Sequence, residues 1–224
     1  MTVTDAEDSV AKGSAEAAVG ADATRNRIFL SAERLFAQYG FATVSVRDIT
    51  ADAGVNLAAI NYHFGSKDGL LFEIFRTRSV EINRTRARLL HDATEQAGGK
   101  PTVRAILHAL IAPPTEWFDP KSHRHLALQF LIRARSEGTP AIREALRGDV
   151  THLARFADAL ATARPELPKD ELYWRLHFVL GLIHQNRTTE IERLRAVSKG
   201  LAGKSDVNDQ IERMVNFAEA GFNR

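Results

Sequence analysis

The chain has 224 residues, 44% hydrophobic and 26% charged, with no cysteine and a net charge of +2. Without cysteine it carries no disulfide scaffold, no thiolate nucleophile, no Cys-ligated zinc finger and no iron–sulfur cluster. No stretch approaches the roughly 18 apolar residues of a membrane span, and the first 23 residues lack the apolar core of a signal peptide. The expectation is a soluble, cytoplasmic protein with no membrane partner.

The charge is unevenly distributed. Residues 1–23 carry one Lys against five Asp/Glu, a net of −4, and almost no large apolar side chain, the composition of a disordered acidic tail. Residues 24–92 hold ten Arg/Lys against seven Asp/Glu and residues 93–224 nineteen against sixteen, so each segment is +3. A basic folded part stands behind an acidic tail that can screen it.

From Thr24, the residues Ile28, Ala32, Leu35, Phe36 and Tyr39 share one face of a helix that Gly40 can end. A short helix over 45–53 follows, with Ser45 and Asp48 spaced as a capping box, Ile49 and Ala53 facing inward and Gly54 breaking the pattern. Asn56 can cap a third helix through His63, closed by Gly65. Ser66 caps a fourth that runs to about Gln96, roughly 45 Å long, with Gly69 in its first turn. Beyond Gly98-Gly99-Lys100-Pro101 the spacing predicts helices over 101–112, ended by Pro113-Pro114, then 122–137, 139–163, 169–193 and 206–222. The predicted fold class is all-α. A three-helix head (24–69) follows the tail (1–23) and is joined by the long helix to a larger helical body (70–224).

The pair 45–53 and 56–63 has the form of a helix-turn-helix whose second member is short enough for a DNA major groove. Its exposed positions are expected to be Leu57, Ala58, Asn61 and Tyr62, with Ile60 beneath as core. Asn61 has the donor and acceptor needed to read an adenine, and Ala58 is small enough to meet a thymine methyl. Thr43, Ser45, Arg47, Tyr62, His63 and Lys67 are candidates to hold phosphates around it, beside two helix N-termini, and Asn56 is a further DNA-binding candidate.

Three segments then carry a resemblance: Ala32-Glu33-Arg34-Leu35-Phe36-Ala37-Gln38-Tyr39-Gly40-Phe41, Val46-Arg47-Asp48-Ile49, and Tyr62-His63-Phe64-Gly65-Ser66-Lys67-Asp68-Gly69-Leu70. In this order within about fifty residues they resemble the head of a TetR/AcrR-family transcriptional regulator. The resemblance implies an all-α homodimer that binds a palindromic double-stranded operator, most often as a repressor, and leaves it when a small molecule enters the body. More narrowly, Val55 to Phe64, Leu167-Pro168 and Glu171 to Gly181 resemble the PsrA-type branch, whose known members respond to long-chain fatty acids. A fatty acid or its coenzyme A thioester is the implied effector, and no cofactor is expected. The segment 93–165, expected to line the effector pocket, matches that branch weakly.

Trp117, Phe118, Phe130, Trp174, His177 and Phe178 are the aromatic candidates for an effector pocket, although such residues at helical spacing more often form plain core. Arg133 falls on the stripe of Leu126 and Phe130, where two roles are open to it. It can neutralise an effector carboxylate in a dry pocket, or lay its stem on the core and reach solvent with its head. In the family the last two helices pair with their copies as a four-helix dimer interface. The candidate interface residues are Leu176, Leu180 and Ile183 on the first, and Ile211, Met214, Val215 and Phe222 on the second. The His123/His125 and His177/His184 pairs lack a third metal ligand. Gly203-Lys204-Ser205 ends like a P-loop, but Ser198 stands where the earlier glycine is required and no strand precedes it. The alternative readings are a helical-bundle enzyme or a protein-interaction module acting on a hydrophobic small molecule. No catalytic triad, metal cluster or dinucleotide fingerprint supports an enzyme.

Overall fold

The computed structural model describes residues 3–148, 150–185, 188–202 and 205–223, with side chains from residue 20 onward except 185 and 188–190. Among the described residues every regular element is a helix, and no helix is long and apolar enough to cross a membrane. Gly203 and Lys204, the centre of the P-loop-like triplet, lie outside the described residues.

Helix α1 spans Val3–Tyr39, so most of the predicted acidic tail continues the first helix rather than standing apart from it. The segment contains no proline and seven alanines before Thr24. Extending an existing helix through such residues avoids the nucleation step that makes isolated helices unfavourable. Helix α2 (Val46–Ala53) begins with the Ser45–Asp48 capping box complete in both directions and ends at Gly54 in the left-handed region, φ 64°. Helix α3 (Ala58–Phe64) starts with the Asn56 side chain accepting from the Ala59 amide at 3.0 Å. Helix α4 (Lys67–Gln96) is capped by the Ser66 hydroxyl, which accepts from the Gly69 amide at 2.9 Å.

The body departs from expectation at two places. Helix α5 spans Val103–Phe118 and passes through Pro113-Pro114 instead of ending there. Neither proline has an amide for the carbonyl four residues back, so the main-chain acceptors of Ala109 and Leu110 lose their helical donors. The Arg86 Nε of α4 donates to the Leu110 carbonyl at 3.0 Å in their place. The run Ile106–Thr115 is buried except for His108, and that burial holds the helix across the break. The predicted stretch 139–163 is two helices, α7 (Pro140–Gly148) and α8 (Thr151–Ala163). In the stretch predicted as 169–193 the described residues form α9 (Lys169–Gln185) and α10 (Thr188–Val197). Helix α6 covers His125–Glu137 and α11 covers Val207–Phe222.

Two large apolar clusters organise the chain. One, under the body, joins α4, α5, α8, α9 and α11 through residues such as Leu107, Leu110, Phe156, Leu176, Val215 and Phe222. The other joins α1 to α4 of the head with Phe130, Ala134 and Ile142 of α6 and α7. The head therefore shares its core with the body. Phe130 is fully buried with its ring 5.1 Å from Phe41 and 6.3 Å from Phe36, which removes it from the effector candidates.

Candidate DNA-binding surface and ligand cavity

The outer face of α3 is built by subtraction. Ile60 points down into the head core at 0% exposure, which turns Leu57, Ala58, Asn61 and Tyr62 outward; Tyr62 is 81% exposed. Tyr62 packs edge-on against His63, with ring centroids 4.9 Å apart. Thr43 and Arg47 flank this face and are exposed. Ser45 and Asn56 are exposed as well, but their side-chain oxygens already serve the caps of α2 and α3. The Asp48 carboxyl lies below its ordinary value, first because the Ser45 hydroxyl donates to it and then because the Ser45 amide does.

Lys67 sits differently from its neighbours. Its ammonium donates to the Phe41 carbonyl at 2.6 Å and stands 5.7 Å from the Phe36 ring centroid. It ties α4 to the turn after α1. Gly69 sets the junction between α3 and α4. A Cβ there would come 2.2 Å from the Phe64 carbonyl oxygen, a backbone atom that cannot swing aside.

The head is locked to α4 and α6 by charge. Glu33, buried on α1, accepts with both carboxylate oxygens from one edge of Arg78, at 2.5 Å from Nε and 2.8 Å from Nη2. Arg78 also binds Glu81, which in turn pairs with Arg124 beyond α5. On the other side Arg133 of α6 donates from Nε to the Ala37 carbonyl at 2.9 Å and from Nη2 to the Gln38 carbonyl at 3.2 Å. Its Nη1 holds Glu137 at 2.7 Å, and Glu137 accepts from the Phe41 amide at 2.9 Å. Arg133 is thus a latch on the end of α1, and not a ligand for an effector carboxylate as one of its two predicted roles had it. Gly40, at φ 89°, turns the chain directly beneath this pair.

A cavity of about 270 Å³ lies in the body beside α4, with walls from α5, α6, α8 and α9. Phe72, Phe75, Ile82, Leu128, Leu131 and Leu153 supply much of its apolar surface. Of the aromatic effector candidates only Phe118 lines it. Trp117 is buried next to it with Ile82, Ala127 and Leu128. On the exterior of α9 Trp174 stacks on Phe178 and His177 meets both rings edge-on, with Trp174 60% and Phe178 65% exposed.

The predicted dimer residues show the complementary displacement. Leu176, Ile211, Met214, Val215 and Phe222 are buried in the protomer's own core, while Leu180 and Ile183 line the cavity. The physical reason is helical phase. On α9 the aliphatic stripe Leu172, Leu176, Val179 turns inward, and the aromatic stripe about half a turn away turns out. On α11 Phe217 is 75% exposed.

Among the cavity residues that sequence reasoning missed are Arg86 and Arg135. Arg86 was detectable as a charge between Ile82 and Leu90, at four-residue steps on the inward stripe of α4. Desolvation, and then the neighbouring Arg135 charge, lowers Arg86 to about 10; desolvation lowers Arg135 as well.

Two family models match the chain: the description "Bacterial regulatory proteins, tetR family" covers residues 28–74, and "Tetracyclin repressor-like, C-terminal domain" covers residues 108–221. A similar curated protein is the "Probable HTH-type transcriptional regulator YttP" of Bacillus subtilis (strain 168), 29% identical over 165 residues, 71% of this chain and 73% of that one. The fold is similar to that of the superantigen PfiT, with a TM-score of 0.62, 19% identity and coverage of 87% of this chain and 95% of that one. It is also similar to the fatty acid degradation regulator FadR from Bacillus halodurans, with a TM-score of 0.54, 16% identity and coverage of 87% and 93%. With head and body both matched, the chain belongs to the TetR family, whose members are DNA-binding transcription regulators and not enzymes.

Proposed function

We propose that this regulator acts as a homodimeric repressor: it holds a palindromic operator through two α3 helices and is released when a small acyl or other apolar effector enters the body cavity. The observation that carries the reading is the shared framework of the two sites. Helices α4 and α6 each line the cavity on one side and pack on the head on the other. A ligand that prefers one arrangement of α4 and α6 therefore biases the position of the heads, whereas equal affinity for both arrangements shifts nothing.

On the DNA side, Asn61 is the base-reading residue, Leu57 and Ala58 are its apolar neighbours, and Arg47, Thr43, Tyr62 and His63 contact phosphates. Lys67 serves the head's own structure first. The dimer face is moved from the buried aliphatic residues to the exposed aromatics Trp174 and Phe178 of α9 and Phe217 of α11. Burying such rings is worth about 1.5–3 kcal/mol each, and two heads must meet half-sites roughly 34–36 Å apart. An acyl effector is supported by the apolar cavity wall and by likeness to a regulator named for fatty acid degradation. A gel-shift titration with a duplex selected from a random pool tests the reading. Binding as a dimer that weakens steeply with salt is the expected result, and salt-independent or sequence-blind binding overturns it.

A further inference from the structure

Arg86 is 8% exposed, and its guanidinium is committed on one edge only, through Nε to the Leu110 carbonyl. Nη1 has Asn83 at the outer limit of a hydrogen bond, 3.5 Å. Arg135 lines the same cavity from α6 and lies close enough for its charge to act on Arg86. Among the described residues no carboxylate pairs with either arginine, and none of the residues lining the cavity is Asp or Glu. The third lining arginine, Arg76, is paired with Glu73. Arg86 is a buried charge, and Arg135, itself exposed, adds a second positive charge beside it on the cavity wall; with no counter-ion among the described residues, this is an unfavourable arrangement that an anion between them relieves.

From this arrangement we infer that Arg86 and Arg135 form an anion subsite that takes the carboxylate of a single-chain amphiphile, with the tail laid against Phe72, Phe75, Leu128 and Leu131. The inference rests on the cavity being the effector site. Arginine suits the role because its fixed fork of donors matches a carboxylate edge to edge. The volume of about 270 Å³ lies just below the range of roughly 300–1,000 Å³ usual for drug-sized ligands. It suits the chain of a free acid of medium length. The subsite is also mechanically connected. The Arg86 guanidinium that meets the carboxylate holds the carbonyl that Pro114 leaves without a donor, so occupancy is felt at the junction of α4 and α5.

The test is isothermal titration of the full chain with three ten-carbon probes: decanoate, 1-decanol and decylamine. Decanoate is expected to bind at least about tenfold more tightly than 1-decanol, and decylamine more weakly than either. Arg135→Gln lowers decanoate affinity by about tenfold or more and changes 1-decanol affinity less than about threefold. Arg86→Lys keeps a cation near Leu110 but loses the fork, and lowers decanoate affinity at least about threefold. Equal affinity for acid and alcohol in the native chain, or an Arg135→Gln variant that melts normally and binds decanoate unchanged, overturns the subsite. Anisotropy on the selected duplex separates the two readings. Arginine-dependent decanoate binding that leaves the DNA complex intact keeps the subsite and sinks the effector role. Release of DNA by 1-decanol, bound as tightly as decanoate, does the reverse.

Discussion

Arg133 and Arg135 are two residues apart on α6 and face opposite structures: Arg133 holds the carbonyls of Ala37 and Gln38 in the head, and Arg135 lines the cavity of the body. At 3.6 residues per turn two positions are about 200° apart, so one helix carries the head latch on one side and a cavity wall on the other. A small rotation or shift of α6 on ligand binding acts directly on the latch.

The latch is expected to be measurable by itself. Arg133→Ala removes its hydrogen bonds to the head and leaves Glu137 with the Phe41 amide alone; the expected loss is about 2 kcal/mol, a fall in Tm of roughly 4–8 °C for a chain of this length. The Glu137 carboxyl is held below its ordinary value of 4.5, chiefly by the Phe41 amide and then by Arg133. Its contribution is therefore complete above pH 4.5 and disappears as pH falls through the lowered value. Glu137→Gln should flatten the acid limb of the stability curve in that window and leave neutral pH less stable than the native chain. An unchanged acid limb in thermal melts would remove Glu137 from the latch.

Gly69→Ala is expected to disturb DNA binding without touching DNA. The added Cβ meets the Phe64 carbonyl at 2.2 Å, so α3 or α4 must move. The destabilisation should be about 1–3 kcal/mol, with operator affinity falling more than the melting temperature alone accounts for. Gly148→Ala, at the end of α7 where φ is not positive and a Cβ meets nothing within 4 Å, is the tolerated comparison.

Substitutions on the recognition helix should divide by role. Asn61→Ala is expected to lose about 1–3 kcal/mol of preference at particular base pairs. Arg47→Ala should weaken all duplexes alike and reduce the salt slope by about one. Lys67→Ala should lower both affinity and Tm, because its ammonium also binds the Phe41 carbonyl. Binding to a panel of single-base variants of the selected duplex at several salt concentrations distinguishes the three, and a uniform loss for Asn61→Ala would rule out base reading by that residue.

How far the sequence carried this picture differs between head and body. The caps at Ser45, Asn56 and Ser66, the left-handed Gly54 and the inward Ile60 are local features, and local spacing was enough to place them. The body required knowledge of neighbours. Pro113-Pro114 signals a helix end unless something covers the carbonyls they leave without donors, and the Arg86 that covers one lies 24 residues earlier. On α9 two apolar stripes competed, and aliphatic content pointed to the dimer face although those residues are the protomer's core. Arg133 stood out on an apolar stripe, but the carbonyls it binds belong to α1, nearly a hundred residues away.

The revised dimer face gives a sharp contrast. Trp174→Asp with Phe178→Asp should produce a folded monomer with near-native Tm and weak DNA binding, because both side chains are exposed in the protomer. Leu176→Asp, at 5% exposure in the core, should instead unfold the body. Analytical ultracentrifugation with circular dichroism tells these apart; a double variant that stays dimeric would move the interface elsewhere.

The most direct test of the central claim is the anisotropy of a selected palindromic duplex titrated with the full chain in the presence and absence of decanoate. The account predicts binding by a dimer and a rise of at least about tenfold in Kd with saturating decanoate, equivalent to a coupling of about 1.4 kcal/mol. Saturation of the cavity with decanoate at an unchanged Kd would contradict it.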